Sequence, residues 1–121
     1  MAGGWGGGQA EAEVLNDYAA LLSRRGRHQQ ALPVHARALR LKEAALGADG
    51  ASLATSVSNL ALAHAALPGG CREALPLLRR ALGLREAALG AGHPLAKATR
   101  AWLRRCEAEA VAPGSVPQLG D

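Results

Sequence analysis

One segment of this sequence occurs twice. Residues 31–48 read ALPVHARALRLKEAALGA and residues 74–91 read ALPLLRRALGLREAALGA, so the two copies lie 43 residues apart. A repeat of this length, with apolar residues at helical spacing inside each copy, is typical of stacked helix pairs, because one pair cannot bury its apolar face alone. The duplication therefore favours a helical stack, an architecture that usually binds other proteins, over a globular enzyme.

Hydrophobic periodicity and helix-end signals predict five helices, at about residues 10–25, 28–46, 52–67, 72–89 and 94–110. Gly26 is placed to end the first helix, and Pro94 is a favoured first residue for the fifth. Two helix pairs followed by a single helix predict an all-α fold. We expect a short right-handed α-solenoid in which the last helix caps the second pair with the bulk of Trp102.

The predicted domain organisation is a repeat domain at residues 10–110, with repeats at about 12–47 and 53–90 and a capping helix at about 94–110. The Gly-rich residues 1–9 are predicted to be a flexible leader, and residues 111–121, with two prolines and two glycines, a disordered tail. The three aromatic residues include no Phe, so the core has to be built from Ala and Leu. A stack of two such repeats is expected to have modest stability.

The formal net charge is +4, and Arg supplies almost all of the positive charge. A basic balance is compatible with a nucleic acid or an acidic partner. Here, however, Arg alternates with Glu along several predicted helices, and no aromatic platform for bases accompanies it. We interpret the Arg pairs, and the dipeptides Lys42-Glu43 and Arg85-Glu86, as a solvated charged outer face before any binding surface.

Small residues recur at fixed places in both copies: Ala19, Ala31 and Ala38 in the first, and Ala61, Ala74 and Ala81 in the second. Further motifs are Asn59-Leu60-Ala61, Arg79-Arg80-Ala81-Leu82, Leu84-Arg85-Glu86 and His93-Pro94. This pattern resembles the tetratricopeptide repeat, in the variety of about 42 residues found in kinesin light chains and nephrocystin-3-like proteins. The resemblance covers about residues 11–105, and it departs from the family where Gly50-Ala51 replaces His-Pro.

The resemblance implies a groove lined by the first helix of each pair. Its partner-binding residues would be Asn16, Asp17 and Arg24 in the first copy and Thr55 and Asn59 in the second. An Asn amide can clamp the backbone of an extended peptide, because it both donates and accepts hydrogen bonds. Arg24 could hold a carboxylate with two hydrogen bonds. The alternative for Asn59 is a structural role in tying adjacent repeats together.

No motif for catalysis, a cofactor or a metal is present in the sequence. The four histidines lack the spacing of a metal site, and there is no nucleophile elbow or phosphate-binding loop. Cys71 and Cys106 form no CxxC motif and could pair only if the fold brings them together, so we interpret them as buried or inert thiols in a reducing compartment. With no apolar run long enough to span a membrane, the expected location is the cytoplasm.

The sequence therefore predicts a non-catalytic protein–protein interaction module, a small adaptor or scaffold component that binds a partner's peptide or helix in its groove. The alternative is a structural subunit that self-associates or joins a larger complex through the exposed ends of its stack. Nucleic-acid binding through Arg is the least favoured of the three hypotheses.

Overall fold

The computed structural model describes residues 7–47 and 50–111 of the chain. These residues form five α-helices: α1 (Gly7–Arg24), α2 (His28–Leu46), α3 (Ala51–Ala65), α4 (Cys71–Leu89) and α5 (Pro94–Val111). Each helix packs against the next helix in the chain, and α1 also touches α3. The predicted all-α solenoid, with the pairs α1–α2 and α3–α4 followed by the single helix α5, is confirmed.

Six helix ends differ from the predicted ones, by one to three residues. The helix α1 begins at Gly7, so it takes in part of the predicted leader; α3 ends at Ala65, and α5 reaches Val111. Glycine lowers helix propensity by about 1 kcal/mol relative to Ala without forbidding the helix, which is why Gly7 can lie in α1. The predictions of a flexible leader for residues 1–6 and of a disordered tail for residues 112–121 lie outside the described residues.

Two turns inside the pairs require glycine. The end of α1 is a Schellman turn, in which Gly26 has a φ of 77° and the Arg27 N–H donates to the Leu22 carbonyl at 2.8 Å. At the end of α3, a Cβ on Gly70 would collide with the carbonyl oxygen of His64. Gly26 is needed for its positive φ and Gly70 for the space that a Cβ would occupy. The two turns bring the second helix of each pair back against the first.

The six alanines predicted at the small positions have no exposed surface: Ala19, Ala31, Ala38, Ala61, Ala74 and Ala81. Their burial confirms that small side chains let neighbouring helices approach closely. The larger apolar residues are unevenly distributed. A cluster of Leu39, Leu53, Val57 and Leu60 joins α2 to α3, whereas the buried cluster between α1 and α2 has Leu22 as its one large side chain. The larger of these two apolar clusters therefore lies between the pairs, and the smaller lies inside the first pair.

Candidate partner-binding groove

An open cavity of about 340 Å³ lies where the first helices of the two pairs meet α5. Its lining residues are Ala20, Ser23 and Arg24 of α1, His28 and His35 of α2, Asn59, Leu62 and Ala63 of α3, and Trp102 of α5. Residues four apart on a helix share a face, so the helical period itself places Ala20 with Arg24 and Asn59 with Ala63. A few polar groups on a mostly apolar wall are the usual composition of a binding cleft.

Two of the predicted groove residues, Arg24 and Asn59, line this cavity. The Arg24 side chain is exposed and the Asn59 side chain is half-buried. Among the described residues, neither side chain has a hydrogen-bond or ion-pair partner. Their donors and acceptors are therefore free to meet a ligand.

The other three predicted groove residues lie elsewhere. Asn16 is buried, with 8% of its surface exposed, and its Nδ2 donates to Ser56 Oγ at 3.1 Å. It ties α1 to α3 and does not line the cavity, and its role in partner binding stays a prediction. Asp17 and Thr55 are exposed but do not line the cavity.

Two histidines, His28 and His35, also line the cavity, although they were not among the predicted groove residues. His35 is 3% exposed, and neither His28 Nδ1 nor His35 Nδ1 has a hydrogen-bond partner within the described part of the chain. Burial lowers the pKa of His35, because removal from water disfavours the imidazolium. The His35 ring is therefore neutral near pH 7 and offers one nitrogen as a donor and the other as an acceptor.

Trp102 also lines the cavity, although the sequence pattern predicted only a capping role for it. The 43-residue period contained the signal: it relates Asn16 to Asn59 and Asn59 to Trp102. The indole packs beside the cluster of Leu78 and Ala74 and also forms one wall of the cavity. The helix α5 thus takes the place that the first helix of a third pair would have: it completes the groove beside α1 and α3, and it also covers α4.

The dipeptides Lys42-Glu43 and Arg85-Glu86 were interpreted as part of a solvated outer face. In the structure their cations, Lys42 and Arg85, are buried. Lys42 is 3% exposed, and its Nζ lies 2.7 Å from Glu13 Oε2 and donates to Ser52 Oγ at 3.1 Å. Arg85, the equivalent residue of the second copy, is 8% exposed and donates from Nη1 to Thr99 Oγ1 at 2.8 Å. Each cation reaches from the second helix of its pair to the next helix in the chain, so these residues hold the stack together.

The cysteines also differ from expectation. Cys71 at the start of α4 and Cys106 in α5 form a disulfide, with their Cα atoms 4.9 Å apart. The interpretation as unpaired, inert thiols is therefore wrong: a separation of 35 residues hid the fact that α5 lies back along α4. Since disulfides are rare in a reducing cytosol, this bond also counts against the predicted reducing compartment.

Within residues 7–47 and 50–111, no group of three or more His, Cys, Asp or Glu side chains is arranged to hold a metal ion. None of the described helices combines the length and the hydropathy needed to cross a membrane. The groove itself presents the guanidinium of Arg24, the amide of Asn59 and apolar side chains such as Leu62.

Comparison with known proteins gives one family. The sequence model of the tetratricopeptide repeat matches residues 10–87, which include α2 and α3 whole and most of α1 and α4. No curated protein matches the chain.

Proposed function

Because the chain belongs to the tetratricopeptide repeat family, we propose that it is a non-catalytic adaptor or scaffold component that binds an extended peptide or a helix of a partner protein. Repeats of this family generally mediate protein–protein interaction. The observation that carries the proposal is the cavity between α1, α3 and α5, at which the side chains of Arg24 and Asn59 stand without a partner among the described residues.

The charges around the cavity indicate the chemistry of the bound segment. Arg24 is the one arginine or lysine among the lining residues, and no carboxylate is among them. An acidic side chain or a C-terminal carboxylate would meet the Arg24 guanidinium, which can hold it with two hydrogen bonds. Leu62 and Trp102 would cover an apolar side chain next to it. We therefore propose a segment that carries a carboxylate beside an apolar residue.

The Asn59 amide has a different task in this proposal. It lies half-buried on α3, across the cavity from α1. An amide at this place can donate to a backbone carbonyl and accept from a backbone N–H of the same peptide. Asn59 would thus fix the register of the segment, whereas Arg24 would select its charge.

Arginine-mediated nucleic-acid binding has less support than protein binding. Five arginines form ion pairs with glutamates, at N–O distances between 2.7 and 3.7 Å: Arg37, Arg79, Arg80, Arg100 and Arg105. A guanidinium that is paired with a carboxylate contributes little to a positive field, so phosphate contacts would first have to displace the glutamates.

The kinesin-light-chain and nephrocystin-3-like variety is part of the proposal as well. Its support is the His93-Pro94 turn, where His93 Nδ1 accepts a hydrogen bond from the Leu95 N–H at 3.1 Å. The imidazole thereby satisfies a free N–H in the first turn of α5, next to a proline in the first helical position. This gives the motif a physical role at the start of a repeat helix. The cytoplasmic location stays a prediction, and the Cys71–Cys106 disulfide counts against it.

The test uses a displayed library of random peptides, selected on the full chain. The strongest selected peptide, labelled with a fluorophore, is then titrated with wild-type protein and with the Asn59→Ala and Arg24→Ala variants. We expect each substitution to weaken binding about tenfold, which corresponds to about 1.4 kcal/mol, and the selected peptides to contain Asp or Glu.

The matched control is Arg25→Ala, which removes an exposed arginine next in sequence to Arg24 but outside the cavity. Its affinity for the peptide should equal that of the wild type. Failure to select any peptide, or equal affinity of all four proteins, would show that the groove is not the binding site.

A further inference from the structure

Arg24 has no carboxylate partner among the described residues, although it is exposed at the groove. Six of the eight Asp and Glu side chains in residues 7–47 and 50–111 form ion pairs with other cations. The remaining two, Asp17 and Glu73, do not line the cavity. The acidic residues of the sequence that lie outside the described ranges are Asp49 and Asp121.

The topology separates Asp49 from the groove. Arg24 ends α1 at the turn that leads into α2, whereas Asp49 follows the other end of α2 in the sequence. The 19 residues of α2 span about 28 Å, so the connectivity of the chain puts Asp49 about one helix length from Arg24. Asp121 is therefore the acidic residue of this sequence that the connectivity leaves for Arg24.

The segment that follows α5, residues 112–121, reads APGSVPQLGD. Asp121 is its one charged residue, and Leu119 lies two positions before it. The two prolines favour an extended backbone, in which residues two apart lie on the same face. Leu119 and Asp121 thus combine an apolar side chain with a carboxylate on one face of a short extended segment. The groove offers the complement: Leu62 and Trp102 beside the guanidinium of Arg24.

The length of the segment allows it to reach the groove of its own chain. The helix α5 ends at Val111, and Trp102 lies nine residues earlier, which is about 14 Å back along the helix axis. An extended backbone from residue 112 to Leu119 covers up to about 26 Å. Leu119 can therefore return beside α5 to Trp102, and Asp121 lies two residues further towards α1.

We propose that residues 112–121 turn back along α5 and occupy the groove of the same chain, with Leu119 against Leu62 and Trp102 and the Asp121 side chain on Arg24. This inference rests on the proposed function, since the segment occupies the groove meant for the partner's peptide. A short linker gives the segment an effective concentration in the millimolar range. A weak contact is therefore enough to fill the groove, and a partner peptide that binds more tightly displaces it.

The first experiment uses nuclear magnetic resonance of the full chain with no peptide added. We expect Asp121→Lys and Leu119→Ser each to shift the signals of the Trp102 indole N–H and the Asn59 side-chain amide. Both substitutions lie outside the five helices. Asp17→Lys is the matched control, because it makes the same charge change at an exposed residue outside the cavity, and it should leave both signals in place. Unchanged signals in both segment variants overturn the proposal.

Dilution identifies which copy supplies the segment. Shifts that are the same in dilute and concentrated samples place the segment in the groove of its own chain. Shifts that appear only at high concentration mean that a neighbouring copy supplies it, and they overturn the proposal. In the Arg24→Ala background, the effect of Asp121→Lys should be largely lost, because the charge that it opposes is gone.

The second experiment titrates the peptide selected on the full chain. The dissociation constant is divided by the fraction of open grooves, so Asp121→Lys and Leu119→Ser should each tighten binding by about threefold or more. Equal affinity of both variants and wild type overturns the proposal and leaves the proposed function standing. Groove signals that respond to the segment variants, without a peptide selected by wild type or by either variant, have the opposite meaning: the segment occupies the groove, and the proposed function fails.

Discussion

The two junctions between successive units of the stack, α2 to α3 and α4 to α5, start from nearly the same sequence but are held together differently. At the first junction, the buried Lys42 connects α2 to Ser52 and to Glu13. At the second, the buried Arg85 binds Thr99, and the Cys71–Cys106 disulfide joins α4 to α5 covalently.

The difference arises from the residues on the C-terminal side of each copy. After the second copy, Arg100 donates to Glu86 at 2.8 Å and to the carbonyl of Ala91 at 3.1 Å, and His93 accepts from the first turn of α5. After the first copy, Gly50 stands in place of the histidine, and no described side chain caps the start of α3. A repeated helix therefore does not give a repeated junction, because half of each junction belongs to the next helix.

The largest effect is expected from loss of the disulfide, which only the second junction has among the described residues. Its cysteines are 35 residues apart, and closing a loop of this length lowers the entropy of the unfolded chain enough to stabilise the fold by about 4 kcal/mol. Urea unfolding with and without reductant measures the difference. The Cys71→Ala/Cys106→Ala double variant is the control and should not respond to reductant. A wild-type chain that is indifferent to reductant would contradict the account.

The next effect distinguishes the buried Lys42 at the first junction from the partly exposed Arg100 at the second. Glu13→Gln leaves Lys42 buried without its carboxylate, which should lower the free energy of unfolding by about 2 kcal/mol. Glu86→Gln removes the carboxylate partner of Arg100, a cation that is 27% exposed, so it should cost less than about 1 kcal/mol. Urea unfolding of the two variants gives the comparison. Equal losses would mean that the burial of Lys42 does not matter energetically.

A third prediction concerns the position at which the copies differ most inside the core, His35 in the first and Leu78 in the second. The unfolded chain binds a proton at His35 with a pKa of about 6.5, and burial lowers this pKa in the fold. As the pH falls below that value, the unfolded chain gains a proton that the folded chain does not, so stability decreases.

His35→Leu should remove this component of the pH dependence and raise stability by about 1 kcal/mol, because it replaces an unpartnered polar group. Unfolding free energies of both proteins between pH 5 and pH 8, about the range in which histidine titrates, provide the measurement. His28 lies at the same cavity, and His28→Leu serves as the control for a second imidazole. If the unfolding free energies of wild type and His35→Leu changed equally with pH, the protonation of His35 would not be the cause of the pH dependence.

The smallest effect is a repair of the first junction. Ala51 is the first residue of α3, a position where proline is favoured. Ala51→Pro should stabilise the chain by about 0.5 kcal/mol, by restricting the unfolded chain at no cost in helix hydrogen bonds. The same substitution at Ala54, inside α3, should be strongly destabilising. Thermal unfolding of the two variants checks the opposite signs.

The sequence was sufficient for the elements and for the small core positions, because helical periodicity and glycine turns are local signals. The burial of Ala61 and Ala81, for instance, follows from their place in the repeat. Alignment of the two copies would also have predicted a buried His35 from its equivalent, Leu78, and a groove position for Trp102 from Asn59.

Other features required the three-dimensional arrangement. Lys42 and Arg85 look like surface residues, because the sequence does not show that their long side chains reach acceptors on the next helix. The disulfide depends on α5 lying back along α4. The tie from Asn16 to Ser56 also depends on the fold, because the two residues are 40 residues apart.

Amide hydrogen exchange in the native state tests the contrast between the junctions most directly, since it reports the free energy of opening for each helix separately. We predict that amides of α1 and α2 exchange through an opening of lower free energy than those of α4 and α5, and that reductant narrows the difference. Bound peptide should slow exchange in α1, because the peptide would then join Arg24 of α1 to Asn59 of α3. Equal protection of all five helices, or α5 as the first to open, would contradict the account.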